Sequence, residues 1–248
     1  MEDKIYRLMA EIENNHWWFV GRRNIIDAAI RSFIKLDPGA KILDVGCGTG
    51  GNLFLLSQFG CVFGLEADAD AVELAKKLGL GQIYTGKIPE PLPFEENSFD
   101  LIVMLDVLEH INDDREAVQY LVRFLKPNGY FLITVPAHSF LWSNHDRLHH
   151  HFRRYTLSHL VAKLKGSNLD IIYSSYFNMW LFPIILLIRT LKYKLKINKD
   201  NSDLSMPNFC LNKALAVIFS SEKHFIKKNC ALPVGVSIIA CGRKETTV

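Results

Sequence analysis

The sequence has no apolar run long enough to cross a membrane as a helix. Its most apolar stretch, Met179 to Ile188, is ten residues long and contains Pro183, against the roughly 20 that a bilayer core demands. No secretory leader is expected, because the stretch MEDKIYRLMAEIENN has neither a continuous apolar centre nor a small-residue cleavage site. Cysteine is sparse. Cys47, Cys61, Cys210, Cys230 and Cys241 are an odd number, lie far apart and form no C-x-x-C, which excludes a disulfide framework and leaves no thiolate zinc site. No repeat or low-complexity tract is present, so solenoid and propeller folds drop out. Charge of one sign is lacking too: 29 basic residues against 26 acidic give a net of only +3, without the global basic excess of a nucleic-acid binder. These absences lead to the expectation of a cytoplasmic protein with reduced thiols.

What remains is an ordinary globular composition, 49% hydrophobic, 11% aromatic and 22% charged over 248 residues, enough chain for a full core in one enlarged domain. Hydrophobic periodicity predicts helices over 4–15 and 22–35, then short apolar strands over 41–45, 62–65, 82–85, 101–105 and 130–135. Helices over 53–59, 69–78 and 113–125 separate those strands, which implies right-handed crossovers and a parallel sheet covered on both faces. A polar, histidine-rich loop follows (137–155), then a helix over 156–165 and two last strands over 170–176 and 236–241. The expected organisation is a helical cap (1–37), a core (38–176), an apolar and basic helical insertion (177–232) and a terminal segment with the last strand (233–248). The chain is thus of the α/β class, Rossmann-like and doubly wound.

The segment Asp44-Val45-Gly46-Cys47-Gly48-Thr49-Gly50-Gly51 stands at a strand end and directly before a helix. Glycines there let the backbone turn tightly and approach a ligand, while the helix N-terminus offers unpaired N–H donors. Glu66 ends the next strand about 20 residues later, where doubly wound sheets set an acid against ribose hydroxyls. The spacing G-C-G-T-G departs from the dinucleotide pattern, and Asp44 would repel a diphosphate but could accept hydrogen bonds from an ammonium group. An amino-acid-bearing nucleoside fits better than NAD.

On these residues the chain resembles the class I S-adenosylmethionine-dependent methyltransferases. The likeness is carried by D-V-G-C-G-T-G-G (44–51), G-L-E (64–66), L-P-F-E-E-N-S-F-D-L-I-V (92–103), L-D-V-L-E-H-I (105–111) and L-K-P-N-G-Y-F-L-I-T-V-P (125–136). It implies a mostly parallel seven-stranded sheet with an antiparallel last strand and S-adenosylmethionine as cofactor, leaving S-adenosylhomocysteine as product. It further implies cofactor contacts from Asp44, Gly46, Cys47, Gly48, Gly50, Glu66, Ala67, Leu105, Asp106 and His110. Where many relatives carry an acid for the adenine amino group, this chain has Gly86-Lys87-Ile88, so adenine recognition is expected from backbone near Ile88 or from another residue. H-W-W-F-V-G-R-R (16–23) and H-D-R-L-H-H-H-F-R-R-Y-T (145–156) resemble the marks of a bacterial small-molecule subset of this superfamily.

A sulfonium is already a good leaving group, so transfer mainly requires in-line placement of the nucleophile, with a base where that nucleophile starts protonated. Four of the nine histidines, His145, His149, His150 and His151, crowd the loop after strand five, at the edge where open α/β sheets bind ligands. The expected base is His145 or His150, oriented by Asp146. Arg153, Arg154 and Tyr155 are expected to bind an anionic part of the acceptor, with His151 beside them. Trp17 and Trp18 are expected to cover the site as a lid, with Arg22 or Arg23 reaching the cofactor's carboxylate. No metal is expected, since H-D-x-x-H-H-H matches no known ligand spacing and the chemistry needs none. Core packing of the aromatic cluster and a loop-anchoring role for the arginines stand as the alternatives.

Between Arg189 and Lys228 nine lysines or arginines face three acids. A basic segment behind an apolar one suits an anionic bilayer surface, and a lid or dimer interface would bury the same face. The expected activity is methyl transfer to a small or lipid-linked acceptor, oxygen first and amine nitrogen second, in the cytoplasm or peripheral to the inner face of the membrane. Nucleic acid is not an expected partner, because the N/D-P-P-Y/F motif is absent where Leu105-Asp106-Val107-Leu108 stands. A non-catalytic cofactor-binding scaffold is the alternative.

Overall fold

The computed structural model describes residues 3–195 and 205–245. Lys196 and Lys199 of the expected basic segment lie outside the described residues. Two helices open the chain, α1 (Asp3–Ile12) and α2 (Trp17–Phe33), followed by β1 (Lys41–Val45), α3 (Leu53–Leu56), β2 (Cys61–Glu66), α4 (Ala69–Lys77), β3 (Gln82–Thr85) and β4 (Phe99–Leu105). Then come α5 (Asp114–Val122), β5 (Leu125–Pro136), α6 (Asn144–Leu148), α7 (Leu157–Lys165), β6 (Leu169–Phe177), α8 (Phe182–Lys194), α9 (Phe209–Ser221), α10 (Lys223–Lys227) and β7 (Ser237–Lys244).

The strands form one sheet in the order β3-β2-β1-β4-β5-β7-β6. Strands β1 to β5 pair in parallel and β7 runs antiparallel between β5 and β6. Central strands read as nearly continuous apolar runs because both faces are covered: every residue of β1 but Lys41 is buried, as is every residue of β4 but Asp100. One apolar layer gathers Ile25, Ile26, Leu53, Leu101 and Phe219, the other Ile102, Leu108, Val118, Phe131 and Leu160. Helix starts follow side-chain capping: Asp68, Asp113, Thr156 and Asn208 each accept a hydrogen bond from a first-turn N–H.

The sheet order reverses between β1 and β4, and ligands in open α/β sheets bind outside the strand ends at that switch point. The loops after β1 and β4 meet there. Three features differ from expectation. The loop 137–155 contains α6, which starts at a Ser143–Asp146 capping box. Pro183 does not kink the apolar segment; it is the second residue of α8, where its missing N–H costs nothing. And the insertion packs on the N-terminal cap. Asn212 Oδ1 accepts the Trp17 N–H at 2.9 Å, Asn24 donates to Ser220 Oγ at 3.2 Å, and Phe219 sits against Gly21. Among the described residues no helix is long and apolar enough to cross a membrane.

Candidate active site

The glycine loop follows β1 with positive φ at Gly46, Gly48 and Gly50. A Cβ on Gly46 would meet Val107 Cγ2 at 2.5 Å, whereas beside Gly48 there is open space, so the first glycine permits packing and the second leaves room. Glu66, 8% exposed, accepts the Gly48 N–H at 2.9 Å through one oxygen and those of Ala67 and Asp68 at 2.8 and 3.0 Å through the other. A carboxylate offers about four lone-pair sites, so Glu66 retains acceptor capacity beside the loop. Above the loop, α1 and its end bring Tyr6, Met9 and Glu13 into the wall, and Thr49 Oγ1 donates to Glu13 at 2.8 Å.

Arg22 enters from α2. Its Nε lies 2.8 Å from Asp106 Oδ2 and its guanidinium stands 5.1 Å from the Trp18 ring centroid. Buried acids surround it. Desolvation pushes Asp44 up to about 7, opposed by Arg22 and reinforced by Glu66. Burial, with Asp106's charge next, raises Glu109 well above the usual carboxylate range. Arg23 instead spends its guanidinium on backbone carbonyls of Glu13, Asn14 and Gly51.

The histidine loop is built differently from the expectation. Asp146, fully buried, is gripped by Arg154 through Nε at 2.7 Å and Nη2 at 3.0 Å, by the Ser143 N–H at 2.8 Å, and by His151 Nδ1 at 3.0 Å. These hydrogen bonds hold its pKa far below the usual range against the cost of burial. Asp146 therefore orients His151 and neither His145 nor His150. Burial, then His149, lower His145 to about 3, and its ring lies 4.2 Å from that of His149. His110 falls to about 3 through burial and then His151, with the two rings 4.6 Å apart, edge to face.

The basic and phenolic residues after this loop serve the chain itself. Tyr155 donates to Asp114 Oδ2 at 2.8 Å from a site 1% exposed, and Arg153 pairs with the same oxygen at 2.9 Å. Tyr155 is thus a buried strut below the cleft, because Asp114 at the start of α5 needs its hydroxyl. Arg154 does line the cleft, but its charge is spent on Asp146.

A single cleft of about 1160 Å³ connects these groups, above the range of about 300–1,000 Å³ that one drug-sized ligand needs. Gly46, Cys47, Gly48, Glu66, Ala67, Ile88, Leu105, Asp106, His110 and Arg22 line it, as do Trp17, Trp18, His145, His150 and His151. Two expected cofactor contacts do not. Asp44 is sealed beneath the loop at 1% exposure, and Gly50 turns inward onto Leu78, Leu53 and Ala75. Residues the sequence reading passed over also line the cleft: Glu13, Glu109, His149, Asn178, Ile185 and Arg189. Glu109 had a local signal, an acid between Asp106 and His110 in the stretch just past β4; Asn178 and Ile185 had none, since tertiary folding alone brings them in. Asp106, His150 and Asn178 adopt positive φ, which Asp, His and Asn tolerate better than other residues and which concentrates at ligand sites.

Residues 43–133 match the family model described as methyltransferase domain. This segment is similar to methyltransferase domains. Similar proteins include the ubiquinone biosynthesis O-methyltransferase of Pelagibacter ubique, 35% identical over 122 residues, covering 45% of this chain and 49% of that one. The human probable tRNA methyltransferase 9B is 32% identical over 112 residues, 44% of this chain and 24% of its own. Phosphoethanolamine N-methyltransferase 1 of Arabidopsis thaliana is 32% identical over 107 residues, 41% and 22%. The chain thus spans between about a fifth and a half of the length of these relatives.

The likeness in fold to solved proteins extends over about nine-tenths of the chain. Haemonchus contortus phosphoethanolamine N-methyltransferase 2, solved with S-adenosyl-L-methionine, aligns with a TM-score of 0.61 at 20% identity, covering 91% of this chain and 53% of that one. A 4+2 cyclase, SpnF, aligns at 0.59 with 18% identity, covering 92% and 81%. The residues around the domain's glycine loop fit S-adenosylmethionine: open space beside Gly48, spare acceptor capacity on Glu66 and an arginine at the cleft wall suit its backbone-approaching, hydroxyl-bearing and carboxylate parts respectively.

Proposed function

We propose that this protein transfers a methyl group from S-adenosylmethionine to an oxygen of a small or lipid-linked acceptor, with amine nitrogen as the second choice of nucleophile. The observation that carries the reading is the continuity of one cleft from the glycine loop and Glu66 to Asn178, Ile185, Ile188 and Arg189. Its volume leaves room for a second molecule beside the cofactor. When bound, the cofactor supplies an electrophilic methyl group on a sulfonium.

The chain's own residues would do the rest. Glu66 and the loop backbone at Gly46 to Gly48 would hold the nucleoside and amino-acid portions, with Leu105, Asp106 and His110 alongside and Ile88 near the base. Trp17 and Trp18 would exclude water. His145 or His150 would take the acceptor's proton: both line the cleft, His150 from an exposed position. An apolar tail has a route out along α8, where Ile185 and Ile188 line the cleft while Ile184, Leu187 and Leu191 are exposed. An apolar patch of this kind marks an interaction site, and contact with an anionic membrane surface is part of the same reading.

The test is incubation with methyl-labelled S-adenosylmethionine and a panel of quinol, phenol and amine amphiphiles presented on anionic liposomes. Label on a hydroxyl acceptor, reduced about 10²-fold or more in His145→Ala or in His150→Ala, is the expected result. Label confined to amines would move the reading to nitrogen. Tight cofactor binding with no turnover on any acceptor would favour a non-catalytic cofactor-binding protein or, as with SpnF, another chemistry on this fold.

A further inference from the structure

We propose that Glu109, His110 and His151 form a binding site for a divalent transition ion such as zinc in the wall of the cleft. One ligand atom from each lies within 4.8 Å of the other two. Two imidazoles and one carboxylate are the donor set of zinc sites that keep an open position, and of related first-row metal centres. Metal–ligand distances of about 2.0–2.2 Å require the three atoms to draw together by on the order of 1 Å, which side-chain torsions supply.

Three observations point to an ion rather than to a chance cluster. Glu109 is 1% exposed and its Oε2 has no hydrogen-bond partner among the described residues. A buried acceptor left so is costly, and a cation would satisfy it. His151 Nδ1 faces Asp146 Oδ1 at 3.0 Å, so Nδ1 carries the proton and Nε2 keeps its lone pair. The His110 ring, carried by a different element, stands 4.6 Å from that of His151, edge to face. Metal-bound histidines almost always anchor the second ring nitrogen on a carboxylate or a carbonyl, and His151 is anchored in this way before any ion is present.

Three protein ligands leave coordination positions facing the cleft. On the methyl-transfer reading above, on which this consequence rests, an acceptor hydroxyl would occupy one of them. The ion would lower its pKa, as zinc does for bound water. The oxygen–methyl bond forms as the sulfur–methyl bond breaks, and the hydroxyl proton passes to a neighbouring imidazole such as His145. The ligand spacing is invisible in H-D-x-x-H-H-H because two of the three donors come from the loop after β4.

The test is calorimetric titration of the chelator-treated full chain with zinc chloride, with far-ultraviolet circular dichroism as the readout of folding and S-adenosylhomocysteine binding measured in parallel. One equivalent should bind, and Glu109→Gln, His110→Ala and His151→Ala should each weaken it at least tenfold while His224→Ala, on the far α10, leaves it unchanged. X-ray absorption of the zinc-loaded wild type should report two imidazoles and oxygen, which decides the matter even for variants that fail to fold. Absence of stoichiometric binding, retained affinity in folded variants, or an ion without imidazole ligands would each overturn the proposal. The two readings fail separately: a chain that takes the homocysteine product but no zinc loses the metal site only, and one that takes zinc but not the product loses the methyl-transfer reading.

Discussion

Asp44 illustrates how much a single position can mislead. Its place at a strand end before glycines suggests a ligand contact, yet the loop closes over it and leaves a fully buried acid beside Arg22 and Glu66. Its folded pKa, about 7, exceeds the unfolded value. The folded state therefore holds a proton that the unfolded chain has lost, and the stability from this group drains away as pH rises from about 4 to about 7. Asp44→Asn is expected to gain urea-midpoint stability relative to wild type at pH 8 over pH 5; an equal difference at both would contradict the buried-acid account. Arg154 is the converse case. Its guanidinium, 3% exposed, compensates Asp146 at 0%, and removing one partner of such a pair costs on the order of 3 kcal/mol. Arg154→Met should lower the urea midpoint accordingly, whereas a change under about 0.5 kcal/mol would mean the pair is dispensable. The sequence shows Arg154 and Asp146 as charged neighbours of a histidine run, but not that they neutralise each other.

At the level of elements, the alternation of short apolar strands and capped helices was plain in the sequence, because buried parallel strands and Asp or Thr caps leave local marks. All seven strands lie where the apolar runs stand. Boundaries were less legible: α2 begins at Trp17 rather than residue 22, since His16 caps it and accepts the Trp18 N–H. The pairing of α2 with α9 had no local mark at all. It rests on Gly21, where a Cβ would lie 2.2 Å from Phe219 Cδ1, with Phe219 fully buried and stacked on Phe177 at 6.0 Å. Alanine is the better helix former by about 1 kcal/mol, but overpacking costs about 1–3 kcal/mol and the clash reaches the root of the ring, which cannot swing away. Gly21→Ala is expected to lower the thermal midpoint, and Phe219→Leu in that background to restore part of it. A stabilised Gly21→Ala would show the contact to be loose.

Across the whole molecule, the cleft is assembled from separated stretches that include α1 with the start of α2, the glycine loop, the end of β2, the loop after β3, the loop after β4, the histidine loop and α8. The cofactor half was legible because Gly46, Gly48 and Glu66 sit at fixed offsets from strands. The acceptor half was not, since tertiary contacts bring in Asn178, Ile185 and Arg189: Asn178 is held by Glu222 and Arg189 by the Leu141 carbonyl. The packing of the insertion on the cap makes the two one helical layer, with Glu222 of the insertion accepting the N–H groups of Asn178, Met179 and Trp180 at 2.6–2.9 Å to fix the entry to α8. Ligand binding that closes this layer should slow amide exchange over residues 10–25, read by mass spectrometry with and without S-adenosylhomocysteine; unchanged exchange there would separate the cap from the site. The most direct test of the central claim is calorimetric titration of the full chain with S-adenosylmethionine, repeated on Glu66→Ala. Micromolar binding that weakens at least tenfold in the variant, about 1.4 kcal/mol, is the predicted result, and a wild type that binds no cofactor would contradict it.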